Sequence, residues 1–291
     1  MLFGSKFVLI AGLVGFVLLA WLVELVAGFD GSVHVGPIVT ALMASIPAAL
    51  WLGFFYLMDR HDPEPKHLVI GVCVVGALIA APLADLVQFG VVAPLPLEQH
   101  SFPTASLIGM FLQPDRVVYA MLVAGLAQEM CKYAAVRYTI YNAPAFDEPM
   151  DGIVYMMACG TGFAVWVNYH RMAAQGHRVD LSIAAAQSVV TVLAHASFAG
   201  ALGYIMGRAK FSRRSAPLRG LFIMLGLLGA AALNGAFAIV ETWINSNAAG
   251  TRLAPWKGVG YAAGFATLVF AGVLFASERL LDDSPFKRED T

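Results

Sequence analysis

The sequence is poor in charged side chains and carries almost no net charge. Only 13% of its 291 residues are Asp, Glu, Lys or Arg, and the formal net charge at pH 7 is −1. A nucleic-acid-binding surface needs clustered basic residues that neutralise phosphates, and a soluble chain usually has about one charged residue in four. The composition therefore predicts no nucleic-acid partner and argues against a soluble globular protein.

Cysteine is also scarce. Cys73, Cys131 and Cys159 all lie in apolar segments, at spacings that match neither a CxxC zinc pattern nor a disulfide framework. A thiol in an apolar span stays protonated, which disfavours a cysteine protease that pairs Cys131 with His195. A metal site that combined Glu129 with these cysteines and His195 would have no recognised spacing. We therefore expect no metal ion and no cofactor.

Long apolar runs dominate what is present. Hydrophobic residues make up 59% of the chain, and about 20 consecutive apolar residues suffice for a helix to cross a bilayer. This pattern predicts an all-α polytopic membrane protein, a bundle of about eight transmembrane helices in the lipid bilayer. The predicted spans are approximately Phe7–Phe29, Pro37–Met58, Leu68–Val92, Val117–Ile140, Gly152–Arg171, Ile183–Arg208, Leu218–Val240 and Gly258–Leu280.

Basic residues divide unevenly between the two sets of connecting segments. With a cytoplasmic N-terminus, the inner segments hold 12 Lys and Arg residues and the outer segments hold 5. The positive-inside rule then places both termini in the cytoplasm. The apolar run after Lys6 is too long for a signal peptide, so we expect a retained first helix. The basic segment Arg208–Arg219 sets this orientation, or alternatively contacts anionic lipid headgroups.

The connections between the predicted spans are short, and the sequence has no repeat or linker that would separate two domains. We therefore expect a single transmembrane domain over residues 1–291, with a cytoplasmic tail at about 281–291. The longest outer loop, residues 93–116, contains four prolines and cannot be helical throughout. We expect it to cap one end of the bundle.

Ionisable side chains within two of the spans mark the candidate site. Glu129 and Lys132 lie in the fourth span and His195 in the sixth. Such groups are costly in hydrocarbon and usually face a bundle interior or a wet cavity. Because Glu129 and Lys132 are three residues apart on a helix, they could instead form a local pair that only stabilises the bundle. Both interpretations predict that these side chains point inward.

Several motifs occur in order on successive spans. They are Asp59-Arg60-His61-Asp62-Pro63-Glu64-Pro65, Asp147-Glu148-Pro149-Met150-Asp151-Gly152, Gly160-Thr161-Gly162-Phe163-Ala164 and His195-Ala196-Ser197-Phe198. With these motifs the chain resembles the PrsW family of intramembrane proteases over roughly residues 59–236. The resemblance implies a protein of the bacterial cytoplasmic membrane that acts on membrane-embedded peptides. The family is also similar to the CAAX prenyl endopeptidases and to a non-catalytic subunit of gamma-secretase, so related folds include scaffolds.

The chain departs from the motifs that the family carries, which are E-E-x-x-K, G-F-A-x-x-E-N, a histidine and often a later histidine. Gln128 replaces the first glutamate, Val167 replaces the glutamate of the second motif, and Asn234 lies where many members have the later histidine. Neither Gln nor Val can accept a proton near neutral pH. The resemblance leaves Glu129 and His195 as candidate catalytic residues. It implies that the cavity is lined by Gln128, Lys132, Val167, Asn168 and Asn234.

Three functions fit this pattern. The favoured hypothesis is a pseudoprotease that binds or stabilises a membrane-embedded protein or a transmembrane peptide. The first alternative is an active peptidase in which Glu129 is the general base and His195 assists it. A proton-coupled transporter is the further alternative, although the sequence shows no inverted repeat. The motif order predicts that Gln128, Glu129, Lys132, Asn168 and His195 converge on one interior cavity.

Overall fold

A computed structural model describes residues 2–29, 31–59, 62–88, 90, 114–247 and 254–282. In this part of the chain, eight long helices form a bundle, and two short strands join two of the connecting segments. The helices are α1 (Leu2–Ala27), α2 (Gly36–Tyr56), α3 (Lys66–Val87), α4 (114–139), α5 (Pro149–Ala174), α6 (Leu181–Lys210), α7 (Ala216–Asn247) and α8 (Ala254–Asp282). The predicted all-α polytopic fold is confirmed.

Seven of these helices are long and apolar enough to cross a membrane. The exception is α4, whose mean hydropathy is lowered by Gln128, Glu129 and Lys132 near its centre. Its length is sufficient, because 26 helical residues extend about 39 Å and the hydrocarbon core is about 30 Å thick. The polar residues that distinguish α4 are those of the candidate site.

The two central helices are α5 and α6. Within their apolar windows 83% and 78% of the residues are buried, whereas the value for α1 is 6%, which places α1 at the lipid-facing periphery. Close approach of α5 and α6 depends on glycine. A Cβ atom on Gly160 would lie 2.5 Å from the carbonyl oxygen of His195, so no larger residue fits without separating the helices. Gly160 therefore fixes the depth at which α6 presents His195.

A wide π-helical turn, Met121–Ala127, precedes the candidate residues on α4. Such turns are often found at functional sites, since they rotate the residues that follow. The turn packs on α7, where a Cβ atom on Gly235 would lie 2.9 Å from the backbone of Met121. Gln128 directly follows the turn, and Asn234 directly precedes Gly235. This contact sets the register between the polar residues of α4 and α7.

The connecting segments that the structure describes lie at two ends of the bundle. At one end, strand β1 (Val33–His34) pairs antiparallel with strand β2 (Arg178–Val179). At the other end, the Tyr155 hydroxyl donates to Glu64 Oε2 at 2.5 Å. Most of the predicted cap at 93–116 and most of the predicted tail at about 281–291 lie outside the described residues.

Candidate active site

The centre of the site is a buried ion pair on one turn of α4. Lys132 Nζ lies 2.6 Å from Glu129 Oε1, and neither side chain is exposed to solvent. The local helical spacing that the sequence shows is therefore sufficient to form the pair. A buried carboxylate and a buried ammonium offset each other's charge, which makes both tolerable in the interior.

The amide of Asn234 on α7 completes one side of this pair. Its Nδ2 donates to Glu129 Oε1 at 2.8 Å and to Gln128 Oε1 at 3.2 Å. Glu129 Oε1 thus accepts two hydrogen bonds, one from an ammonium and one from an amide. Within the described part of the chain, the second carboxylate oxygen, Oε2, is buried and has no hydrogen-bond partner.

His195 on α6 approaches the other side of the ammonium. Its Nδ1 lies 3.2 Å from Lys132 Nζ, so a protonated Lys132 donates to Nδ1 and the ring proton of a neutral imidazole resides on Nε2. The ring of Phe163 on α5 lies 4.7 Å from Lys132 Nζ, close enough for a cation–π contact. Lys132 therefore lies between the carboxylate and the imidazole.

This position of Lys132 determines the chemistry of the site. A hydrolytic base must contact the water that it deprotonates, either directly or through one further water. Here the carboxylate oxygen that faces the rest of the cluster contacts Lys132 and Asn234, and His195 Nδ1 also contacts Lys132. The structure thus brings Glu129 and His195 to the same site but joins them through an ammonium group.

Asn168 belongs to an adjoining network. Its Nδ2 donates to the backbone carbonyl of Ser188 at 3.2 Å, while Arg171 Nη2 donates to Asn168 Oδ1 at 2.5 Å and to Thr191 Oγ1 at 2.8 Å. Thr191 is one helical turn from His195 on α6, so the two networks are neighbours. Asn168, one of the five residues predicted to converge, therefore belongs to this adjoining network, and its side chain bonds to Arg171 on α5 and Ser188 on α6.

Val167 was predicted to line the site, whereas Arg171 was not predicted as a site residue. Val167 is half-buried and packs against the apolar core, where it provides no polar atom. Arg171, which the sequence suggests only as one of the outer basic residues, is half-buried and joins α5 to α6. Its spacing of three residues from Asn168 was the available signal, because such side chains share a helix face.

A second polar cluster lies at one end of the bundle, where α5 begins. Asp151 Oδ2 accepts from the backbone N–H groups of Asp147 and Glu148, each at 2.7 Å, and so forms part of a capping box. Ligand atoms of Asp59, Glu148 and Asp151 all lie within 4.8 Å of one another. The acidic motifs of the sequence therefore meet in space and fix the start of α5.

Glu64 in this cluster makes the stability of the fold depend on pH. Burial raises the pKa of Glu64 to about 7 from its ordinary value of 4.5, and the charges of Asp59 and Asp147 act in the same direction. Between these two pH values the folded chain binds more protons than the unfolded chain, so stability falls as the pH rises through about 7. We expect Glu64→Gln to flatten the decline of the thermal unfolding midpoint between pH 5 and pH 8.

The glutamine variant removes the charge of Glu64 but keeps an acceptor for the Tyr155 hydroxyl. Asp62→Asn is the matched control, because Asp62 is an exposed acid in the same connection. We expect the control to follow the wild-type pH profile. An unchanged slope in Glu64→Gln, measured by unfolding in detergent micelles, would contradict the prediction.

The comparisons with known proteins agree with the motif order. The sequence profile described as PrsW family intramembrane metalloprotease matches residues 64–275. A Geobacillus kaustophilus protein described as Protease PrsW is 30% identical over 166 residues, which cover 57% of this chain and 64% of that protein, just under two thirds. A Bacillus subtilis protein of the same description is 26% identical over 200 residues, covering 69% and 81%. No solved structure matches. Because the profile covers most of the chain, this integral membrane protein belongs to the PrsW family of intramembrane metalloproteases.

Proposed function

We propose that the protein is a catalytically degenerate member of its family that binds a transmembrane segment of a partner without cleaving it. The observation that carries this proposal is the position of Lys132, whose ammonium contacts both Glu129 and His195. The substitutions at Gln128 and Val167 support it, since they remove two carboxylates from positions where the family carries them. The fold can still hold a helix in the membrane after the chemistry is lost.

The residues of the site do not fit a catalytic metal ion, although the family description names a metalloprotease. A catalytic zinc site needs three protein ligands, usually His, Glu, Asp or Cys. In the described part of the chain, the one group of three such residues with converging ligand atoms is Asp59, Glu148 and Asp151, at the start of α5. At the candidate site, the ammonium of Lys132 lies where a cation between Glu129 and His195 would have to bind.

The alternative is a peptidase in which Glu129 acts as the base. One observation favours it, because Glu129 Oε2 is buried and has no hydrogen-bond partner among the described residues. A water that reached Oε2 would meet a carboxylate lone pair. The residue that steadies the oxyanion would then be Asn234 or His195. Under this alternative Lys132 is a positioning residue that holds the Glu129 carboxylate in place.

The subcellular location of the protein is part of the same proposal. We place the protein in a bacterial cytoplasmic membrane with both termini in the cytoplasm. The ratio of 12 inner to 5 outer basic residues supports this orientation, and both relatives described above come from bacteria. The end of the bundle that holds Glu64 would then face the cytoplasm.

Binding without cleavage is the result that tests the proposal. The full chain is reconstituted in liposomes with fluorescently labelled single-span peptides, and binding is followed by energy transfer while the peptide mass is monitored. We expect saturable binding of at least one natural transmembrane sequence and an unchanged peptide mass. A polyleucine helix of equal length is the control for non-specific association. Peptide fragments, or transfer no greater than that of polyleucine for every sequence, would contradict the proposal.

A further inference from the structure

An open cavity of about 470 Å³ lies where α6 ends and α7 begins. Its volume falls within the range of small-molecule sites. Three arginines contribute to its lining, and no carboxylate lines it among the residues that the structure describes. These arginines are Arg208 on α6, Arg214 in the connection and Arg219 in the first turn of α7. The cavity therefore carries a concentrated positive charge that attracts an anion.

Two of the arginines contact aromatic side chains, which do not neutralise the positive charge of the guanidinium groups. Arg208 Nη1 donates to the Tyr204 hydroxyl at 3.2 Å, and the guanidinium of Arg214 lies 4.3 Å from the centre of the Phe222 ring. A guanidinium group has five N–H donors, so these contacts leave donors for a ligand. Planar guanidinium groups recognise phosphate through paired hydrogen bonds. The arrangement suits a phosphate group better than a single carboxylate.

The remaining walls indicate that the ligand also has an apolar part. Ile205, Phe222 and Leu280 line the cavity, and Phe222 continues into an exposed apolar stripe on α7. Leu221 and Leu225 on this helix are 44% and 53% exposed, as expected for side chains that face acyl chains. The cavity thus lies at the end of the spans, with charge on the outside and hydrocarbon-facing residues below.

We propose that this cavity binds the phosphate headgroup of an anionic phospholipid, with an acyl chain along the apolar surface of α7. Basic pockets between transmembrane helices are suited to such headgroups. The shared chemistry is a phosphate oxyanion, and the apolar stripe assigns its source to lipid. The bound lipid would join α6, α7 and α8 at this end of the bundle. The assignment is independent of the proposed function, since it involves none of the residues around Lys132.

Lipid binding to the purified, delipidated full chain tests this assignment. Native mass spectrometry compares phosphatidylglycerol, phosphatidylcholine and inorganic phosphate. We expect one tightly bound phosphatidylglycerol and weaker binding of the other two. Each arginine near an anionic headgroup strengthens binding roughly fivefold, so Arg208→Gln, Arg214→Gln and Arg219→Gln together should weaken it roughly 100-fold. The matched control is Arg213→Gln, an exposed arginine of the same connection outside the lining.

Lysine replacements at the three positions keep the charge and should retain most of the binding, which separates loss of the site from loss of the fold. Equal binding of phosphatidylcholine and phosphatidylglycerol would overturn the proposal. Unchanged phosphatidylglycerol binding in the triple glutamine variant would overturn it as well. Inorganic phosphate that binds as tightly as the lipid would refute the assignment to a lipid.

Discussion

Replacing Lys132 with methionine is expected to lower the free energy of unfolding by about 3–5 kcal/mol, because it leaves the buried carboxylate of Glu129 without its charge partner. Methionine has a similar length and is apolar, so the loss reports the missing charge and not a cavity. Asn234 still donates to Glu129 Oε1, but one amide cannot offset a buried charge. The measurement is reversible unfolding in mixed micelles, followed by circular dichroism.

A double variant separates the charge effect from general damage. Glu129→Gln combined with Lys132→Met removes both charges and should recover most of the lost stability, because no unpaired ion remains. The control is Arg137→Met on the same helix, where Arg137 donates an exposed side-chain hydrogen bond of 3.5 Å to Asn142. Its effect should stay within about 1 kcal/mol. Equal costs for Lys132→Met and Arg137→Met would show that the pair contributes little.

The wild-type chain is expected to show no cleavage of transmembrane peptides above background, in detergent or in liposomes. The reason is that Glu129 contacts an ammonium and an amide, while Gln128 and Val167 supply no base. A positioned general base contributes a factor of about 10²–10⁴ to a rate. If the wild type does turn over, Glu129→Ala should reduce the rate by this factor. Turnover with that loss would establish the alternative peptidase.

Restoring the missing carboxylates gives the complementary result. Gln128→Glu with Val167→Glu is expected to destabilise the fold, because Lys132 is already paired with Glu129 and cannot also offset two added charges. Cleavage by this variant would show that water reaches the site and that the substitutions alone abolished activity. Asp62→Ala, which removes an exposed carboxylate outside the site, is the control for changes in charge. Activity in the control but not in the wild type would indicate a contaminating protease.

The helices were predictable because transmembrane spans are defined by local composition. For example, the predicted fifth span, Gly152–Arg171, corresponds to α5 at Pro149–Ala174. The Glu129–Lys132 pair was predictable for the same reason, since a separation of three residues brings the side chains together on any regular helix. Gly203 and Gly207 on α6 lie directly against the backbone of α5, as small residues at contacts between transmembrane helices often do.

The partners of the pair could not be read from the sequence. His195 is 63 residues from Lys132 in the sequence, and Asn234 is 105 residues from Glu129. Their arrival at one point depends on how far each helix is rotated and at what depth it lies. The π-helical turn Met121–Ala127 and the close contact at Gly160 set these quantities, and neither follows from apolar periodicity.

The sequence by itself therefore determined the helices, their order and the residues that depart from the family motifs. Only the tertiary structure decided that Lys132 lies between Glu129 and His195, and that Asn168 bonds to Ser188 and Arg171. The physical reason is one of range. Apolar runs and helical spacing can be read from residues that are close in the sequence. The position of an ammonium between two helices depends instead on side-chain packing across the whole bundle.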